Sequence, residues 1–390
     1  MSYSLKHGTS YLVCLCLVAV GSLCLAWPKF AMAQAKPAWQ QRWEKVLSEA
    51  QKEGKVVVYG PPGEAIRNVI TEGFKKAFPE ILIEYSGGRG TEQAAKISAE
   101  RAGGIYSVDV VLAGTSTVNI QLKPIGILDP IKPALILPEV TDPKHWKDNQ
   151  LQFSDTGGTY NLVFINILWP LVGYNLKEVR ADEIDELHEL LEPKWRGKIL
   201  INDPLVTGAG HVTFRWIWRV LGPEKATEYY RKIRAQAGAV DRDQRRQIEW
   251  IAQGKYAILL SPGGTPFELL KRGLKFGMFA EFKDYGGFVT ASFGSAGLLN
   301  KAPHPNAATV FLNWFLGKEG QTLWSRATGE ASRRLDVSTD HLAPYIVPKS
   351  GAKYFVGAPK PGERYWLSHS EENIHRSAEE ESILKELFGR

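Results

Sequence analysis

The chain has 390 residues, 44% of them hydrophobic, and a formal net charge of +6. Its length allows two domains and a core large enough to fold without cross-links. Basic and acidic side chains are interleaved, which excludes the basic stripe of a nucleic-acid-binding protein and mildly favours an anionic small ligand. The first 33 residues read as a secretory signal peptide. Lys6 and His7 precede an apolar run from Tyr11 to Ala26, and Ala31-Met32-Ala33 supplies a small-residue cleavage site. The run is too short for a transmembrane helix and lacks a charged stop-transfer flank. An uncleaved anchor is the alternative; Gly21-Ser22-Leu23 before Cys24 makes a poor lipoprotein signal. Cleavage near Ala33 removes Cys14, Cys16 and Cys24, the three cysteines of the chain, and takes the net charge from +6 to +4 with Lys6 and Lys29. The expectation is an exported, periplasmic protein without disulfides.

Apolar residues at helical spacing (Trp39, Trp43, Val46, Leu47, Ala50) predict a helix over 38–52, ended by Gly54. Lys55–Tyr59 reads as a buried parallel strand, and Gly60-Pro61-Pro62-Gly63 as its turn. A helix carrying Ile66, Val69, Ile70, Phe74 and Ala77 follows. Ile81–Tyr85 is a second strand, leading into Ser86-Gly87-Gly88-Arg89-Gly90 and a helix that Thr91 is placed to cap. Val108–Leu112 is a third strand, ending in Ala113-Gly114-Thr115-Ser116-Thr117. Strand, loop and helix thus recur three times, the pattern of an α/β protein with a parallel sheet.

Prolines and glycines interrupt the rhythm from about 121 to 160. Strand-like runs resume at 161–165, 198–202, 237–240, 256–260, 275–280 and 293–300, with helices expected around 210–221, 223–236 and 243–253. A strongly amphipathic helix carries Ala308, Phe311, Leu312 and Phe315, and a last helix carries Ile374, Ala378, Ile383, Leu384, Leu387 and Phe388.

Several segments, in order, resemble bacterial extracellular solute-binding proteins of the ferric-iron-type ABC importers. They are Glu53–Gly60; Gly88-Arg89-Gly90-Thr91-Glu92 with Glu100 and Asp109; Pro193–Ile199 with Asp203-Pro204; Lys301–Ala308 with Phe311, Asn313-Trp314 and Lys318–Gln321; and Arg333–Val337. The resemblance covers about residues 38–340. It implies an α/β two-lobed clamshell, each lobe a mixed, mostly parallel sheet flanked by helices. It also implies crossover strands as hinge, a ligand in the cleft, a membrane permease as partner and no catalytic step. The expected division is lobe 1 at 38–125 and 286–338, lobe 2 at 126–285, and a C-terminal segment at 339–390 packed on lobe 2. Iron-binding relatives carry two adjacent tyrosines after the strand that corresponds to Tyr256–Leu260. Here Ser261-Pro262-Gly263-Gly264-Thr265 stands there instead, and Tyr229-Tyr230 falls within the 223–236 helix, where packing is the better reading.

Ligands of open α/β sheets lie beyond the carboxyl ends of the strands, where backbone N–H groups and helix N-termini favour anions. Ser86, Gly87, Gly88, Arg89, Gly90 and Thr91 fit best: glycines permit close approach, the hydroxyls donate, and Arg89 offers a planar fork to a carboxylate or phosphonate. A plain glycine-rich turn with Arg89 in solvent is the competing reading. Thr115 and Ser116 follow the third strand similarly, with helix capping as the alternative. Thr207 and Gly208 open the 210–221 helix. Ser261, Gly263, Gly264 and Thr265 occupy the family's ligand-facing loop, unless they form only a turn. Tyr59, Tyr160 and Tyr285 are weaker candidates for the cleft walls.

No HExxH or G-x-S-x-G pattern occurs, and the chain beyond residue 33 has no cysteine, so a secreted enzyme has no motif behind it. His369, Glu372 and His375 read as solvated, and Glu379-Glu380-Glu381 as the polar face of the last helix. The expectation is therefore a monomeric periplasmic binding protein of an ABC importer. It needs no cofactor and carries a small, anionic solute to its permease. A ferric or ferric-chelate carrier and a solute-sensing receptor subunit are the alternatives.

Overall fold

In the computed structural model, residues 36–206, 208–263 and 276–389 are described; the segment expected to be a signal peptide, Thr207, Gly264 and Thr265 lie outside them. The first sheet has the order β2-β1-β3-β15-β6-β5, with β4 also on β15. Its strands are β1 (Lys55–Gly60), β2 (Leu82–Gly87), β3 (Val110–Ala113), β4 (Leu128–Asp129), β5 (Gln152–Phe153), β6 (Leu162–Val163) and β15 (Ser295–Leu299). β1 runs parallel to β2 and β3, so Gly60, Gly87 and Ala113 end at one edge, and antiparallel β15 begins there with Ser295 opposite Ala113.

Helices α1 (Ala38–Glu53), α2 (Glu64–Ala77), α8 (Pro305–Leu316) and α9 (Lys318–Thr328) supply apolar residues to the largest core of this lobe. Phe164, Phe315 and Trp324 meet edge to face there, with ring centroids 4.9–5.4 Å apart. Truncating Trp324 would cost about 3–5 kcal/mol.

The segments that carry the family resemblance hold this lobe together. The Glu53 carboxylate accepts from the Asn306 and Ala307 N–H groups, supplying an acid to the α8 N-terminus. Asp109, fully buried, accepts from Val57 N–H and His304 N–H. Asn313 spans the Ile136 and Leu137 N–H groups and the Ala134 carbonyl. Arg334 pairs bidentately with Asp336 at 2.8 Å and donates to the Glu139 and Leu316 carbonyls.

The second sheet, β10-β9-β11-β8-β12, is built from β8 (Val172–Asn175), β9 (Ile199–Asn202), β10 (Ala237–Asp241), β11 (Ile258–Leu260) and β12 (Phe276–Phe279). β9 is parallel to β10 and β11, while β8 runs antiparallel to β11 and β12. Helices α5 (Ala209–Leu221) and α6 (Pro223–Gln236) bury Phe214, Trp216, Tyr229 and Tyr230 against it, and α7 (Gln244–Ala252) covers another part of the sheet with Ile248 and Ile251.

A third sheet joins the two. The chain leaves β6, passes through β7 (Ile167–Leu168) and enters β8; it returns through β13 (Glu281–Phe282) and β14 (Gly286–Thr290) to β15. β7 and β14 pair antiparallel, Val289 opposite Leu168 and Thr290 opposite Ile167. β17 (Glu363–Leu367) lies parallel to β14 and carries β16 (Lys353–Phe355) on its far side.

Two boundaries differ from expectation. Residues 126–165 belong to the first sheet through β4, β5 and β6, because β4 and β6 pair with β15 and β5 pairs with β6. The C-terminal segment is shared out instead of packing on one lobe. Leu342 and Ile346 enter the first core, β16 and β17 enter the third sheet, and α10 (Ala378–Phe388) packs on the second core through Leu384 and Phe388. Between β17 and α10 the chain touches both sides. Lys123 holds Glu371 at 2.7 Å, Thr156 N–H donates to the same carboxylate, and Arg376 donates to the Pro204 carbonyl. His369 and Glu380 are buried, not solvated as the charged sequence suggested.

Burial, with the nearby Arg333 charge, holds the His369 imidazole neutral, down to about 3. A depressed histidine binds fewer protons folded than unfolded, so stability is lost as pH falls below the ordinary value near 6.5. Denaturant titrations at pH 7 and pH 4.5 should therefore show a smaller acid loss in His369→Gln than in the wild type, by about 2 kcal/mol. Equal losses would contradict the assignment.

Candidate functional site

The carboxyl ends of β1, β2 and β3 bring three loops together. Gln93, buried in α3 (Gly90–Ala102), donates its amide to the Gly60 carbonyl at 2.8 Å and the Ser86 carbonyl at 3.0 Å. Tyr85 Oη donates to the Pro61 carbonyl at 2.9 Å, and Gly88 N–H to the Gly60 carbonyl at 3.0 Å. Gly90 sits so close to Thr117 that a Cβ there would strike the Thr117 hydroxyl. This contact joins the Ser86–Thr91 loop to the Thr115–Thr117 loop.

Within this cluster Ser86, Gly87, Arg89, Thr91 and Ser116 are exposed, Gly88 and Gly90 partly so, and Thr115 is buried. The helix begins at Gly90 with Arg89 at its N-cap, so Thr91 lies in the first turn and is not the cap. Among the described residues no hydrogen bond or ion pair holds the Arg89 guanidinium. After β3 the chain winds as a six-residue π-helix, Thr117–Leu122, a wide turn enriched at functional sites. Behind it, Asn161 donates to Asn119 Oδ1 at 2.9 Å and to the Thr115 carbonyl at 3.3 Å, fixing the loop from below.

The second-lobe candidates form a separate group. Gly208, with φ of 148°, caps α5 in a conformation only glycine adopts freely. Ser261 is left-handed (φ 66°) and fully buried, and its hydroxyl has no partner among the described residues. Asn202 donates to the Ser261 carbonyl at 2.8 Å, and Gly263 (φ 73°) passes against Gln244. No hydrogen bond among the described residues links this group to the first. Tyr59 is buried, Tyr160 packs beside the same minor core, and Tyr285 is exposed next to β14.

The adjacent tyrosines are not available as ligands. Both are buried in α6; Tyr229 donates to the Leu187 carbonyl at 3.2 Å and Tyr230 to the Phe214 carbonyl, and burial pushes both phenols far above their ordinary range.

Some residues escaped the sequence reading. Gln93 gave no motif, because its role depends on two loops meeting. Arg242 and Arg245 are exposed directly beyond β10, a second-lobe positive edge legible only once β10 is known to end there. Asn166, on the crossover before β7, is fully buried with neither amide atom bonded to a described residue. Glu330 lines a cavity of about 530 Å³ beside the crossovers, and Ser292 hydrogen-bonds its carboxyl. Burial there pushes that carboxyl up to about 7.

Comparison with known proteins agrees with this architecture. Iron-bound HitA from Pseudomonas aeruginosa superposes with a TM-score of 0.60 over 85% of this chain and 99% of its own, at 18% identity. Trichodesmium FutA, with iron and citrate, gives 0.61 over 86% and 100%, at 16% identity. The periplasmic binding protein AfuA from Actinobacillus pleuropneumoniae, with fructose-6-phosphate, gives 0.52 over 85% and 97%, at 18% identity. An uncharacterized protein of Haemophilus influenzae is 22% identical over 318 residues, covering 77% of this chain and 83% of the relative. These likenesses establish a two-lobed periplasmic-binding-protein fold. Residues 70–344 match the family model described as bacterial extracellular solute-binding protein, and the chain belongs to that family.

Proposed function

We propose that this solute-binding protein takes a small anion into the cleft between its lobes and delivers it to the permease of an ABC importer. The observation that carries the reading is Arg89. An exposed guanidinium stands without a protein partner among the described residues, at the N-cap of α3, beside the backbone N–H groups of the helix's first turn. A helix N-terminus and a planar charged fork favour the same class of ligand, a carboxylate or phosphate-like group. Ser116 adds a hydroxyl from the neighbouring loop, and Arg242 and Arg245 add positive charge from the second lobe. Closure by hinge motion about β7 and β14 would bring the second-lobe loops onto the solute and shield it from water. The signal peptide and periplasmic location belong to this proposal.

A ferric reading draws on the likeness to iron-bound HitA and FutA. The chemistry of this chain supports it poorly, since both adjacent phenols already donate to backbone carbonyls inside α6. Loading with ferric citrate should leave the protein without the visible charge-transfer band of iron–phenolate; a strong band would overturn the anion reading.

A thermal-shift screen of anionic metabolites, sugar phosphates and phosphonates should raise the melting temperature with the true solute, by mass action. With that solute, Arg89→Ala should weaken binding roughly 10- to 1000-fold, about 1.5–4 kcal/mol. Arg89→Lys should recover part of the loss, because a point charge cannot reproduce the fork. Both variants should melt as the wild type does, since Arg89 is exposed. Equal affinity in all three proteins by titration calorimetry would contradict the placement of the site.

A further inference from the structure

The cavity beside the crossovers shares no lining residue with the anion site. Its walls come from the turn after β1 (Pro61), the start of α2 (Ile66), the first crossover (Trp169), the second crossover (Ser292, Phe293), the end of α9 and the 341–346 segment. At about 530 Å³ it falls within the size range of small-molecule sites. The lining is mostly apolar and aromatic, and Glu330 is the acid within it. Among the described residues no cationic side chain pairs with Glu330, and Ser292 hydrogen-bonds its carboxyl; His341, also on the wall, is held by the Ser325 hydroxyl at 3.2 Å. A carboxylate set among Trp169, Phe293 and Tyr345 is complementary to one kind of ligand. An ammonium finds its counter-charge on the acid and the faces of the rings, and an apolar body fills the rest. Burial favours the protonated acid, and a bound ammonium would draw it to the carboxylate whereas an anion would not, so this cavity and the Arg89 loop select opposite charges.

We propose that this cavity is a second binding site, specific for an organic cation: an ammonium on an aromatic or aliphatic body, with the charge against Glu330 and the body between Trp169 and Phe293. The site adjoins both crossovers, so its occupant would touch residues that the hinge must move. It does not depend on the identity, or the existence, of an anionic solute at Arg89.

Titration calorimetry with phenethylamine, and with phenylethanol as its uncharged isostere, tests the proposal on the whole protein. The amine should bind more tightly than the alcohol. Glu330→Gln, which keeps a hydrogen-bonding partner for Ser292, should weaken the amine about tenfold or more while leaving the alcohol unchanged. Phe293→Ala, at an exposed position on the cavity wall, should weaken both ligands several-fold. Arg89→Ala should change neither. Melting curves of each variant establish that it is folded. The proposal is overturned if the amine binds no more tightly than the alcohol, if neither binds in the millimolar range, or if Glu330→Gln leaves the amine unaffected. Loss of the amine in Arg89→Ala would place it in the cleft and overturn it equally.

Discussion

The antiparallel pairing of β7 with β14 is the constraint on which the rest of the molecule depends. Those two strands are the paths by which the chain leaves the first lobe and returns to it. Both mixed sheets are therefore joined through one short ladder, and the loops that follow β1, β2 and β3 are held in one lobe while those after β9 and β11 are held in the other. Backbone hydrogen bonds in so short a ladder resist separation of the strands and permit rotation about them. That is the mechanical requirement of a protein that closes over a solute.

The C-terminal segment adds to this junction. β17 adds a parallel strand to β14, and the chain beyond it grips Lys123 and Thr156 on one side through Glu371, then Pro204 on the other through Arg376. It is thus a third connection between the lobes, beside the two crossovers. It also adds cost in acid, because the segment buries His369 beside Arg333. Charge also separates the two candidate sites: among the described residues, a cation without an ion-pair partner at the edge of the first sheet, and an acid without one behind the crossovers.

Much of the fold was legible in the chain. The βα rhythm from Lys55 to Leu112 matches β1 to β3, and the helices at 38–52, 210–221 and 223–236 lie within a residue of their observed bounds. Longer apolar runs with glycine or proline punctuation carry their own periodicity. What did not read correctly were the short strands. β4, β5 and β6 are two residues each and exist only through pairing, β4 and β6 with β15 and β5 with β6, so no local pattern marks 126–165 as first-lobe. β16 and β17 lie in a segment whose prolines and glycines suggested irregular structure. His369 and Glu380 looked solvated because their sequence neighbours are charged, whereas their burial is a product of tertiary packing. For the site, the Gly-rich loop and Arg89 were visible as a motif. Gln93, Asn161 and Glu330 were not, since each acts on residues distant in sequence.

The central claim is that the solute lies against the Ser86–Thr91 loop and is enclosed by rotation about the β7–β14 pair. A crystal structure with the solute found by screening tests it most directly. The account predicts an anionic group within hydrogen-bond distance of the Arg89 guanidinium and the first-turn N–H groups of α3, with second-lobe loops closed over it. A solute bound in the cleft with Arg89 pointing to solvent would contradict it.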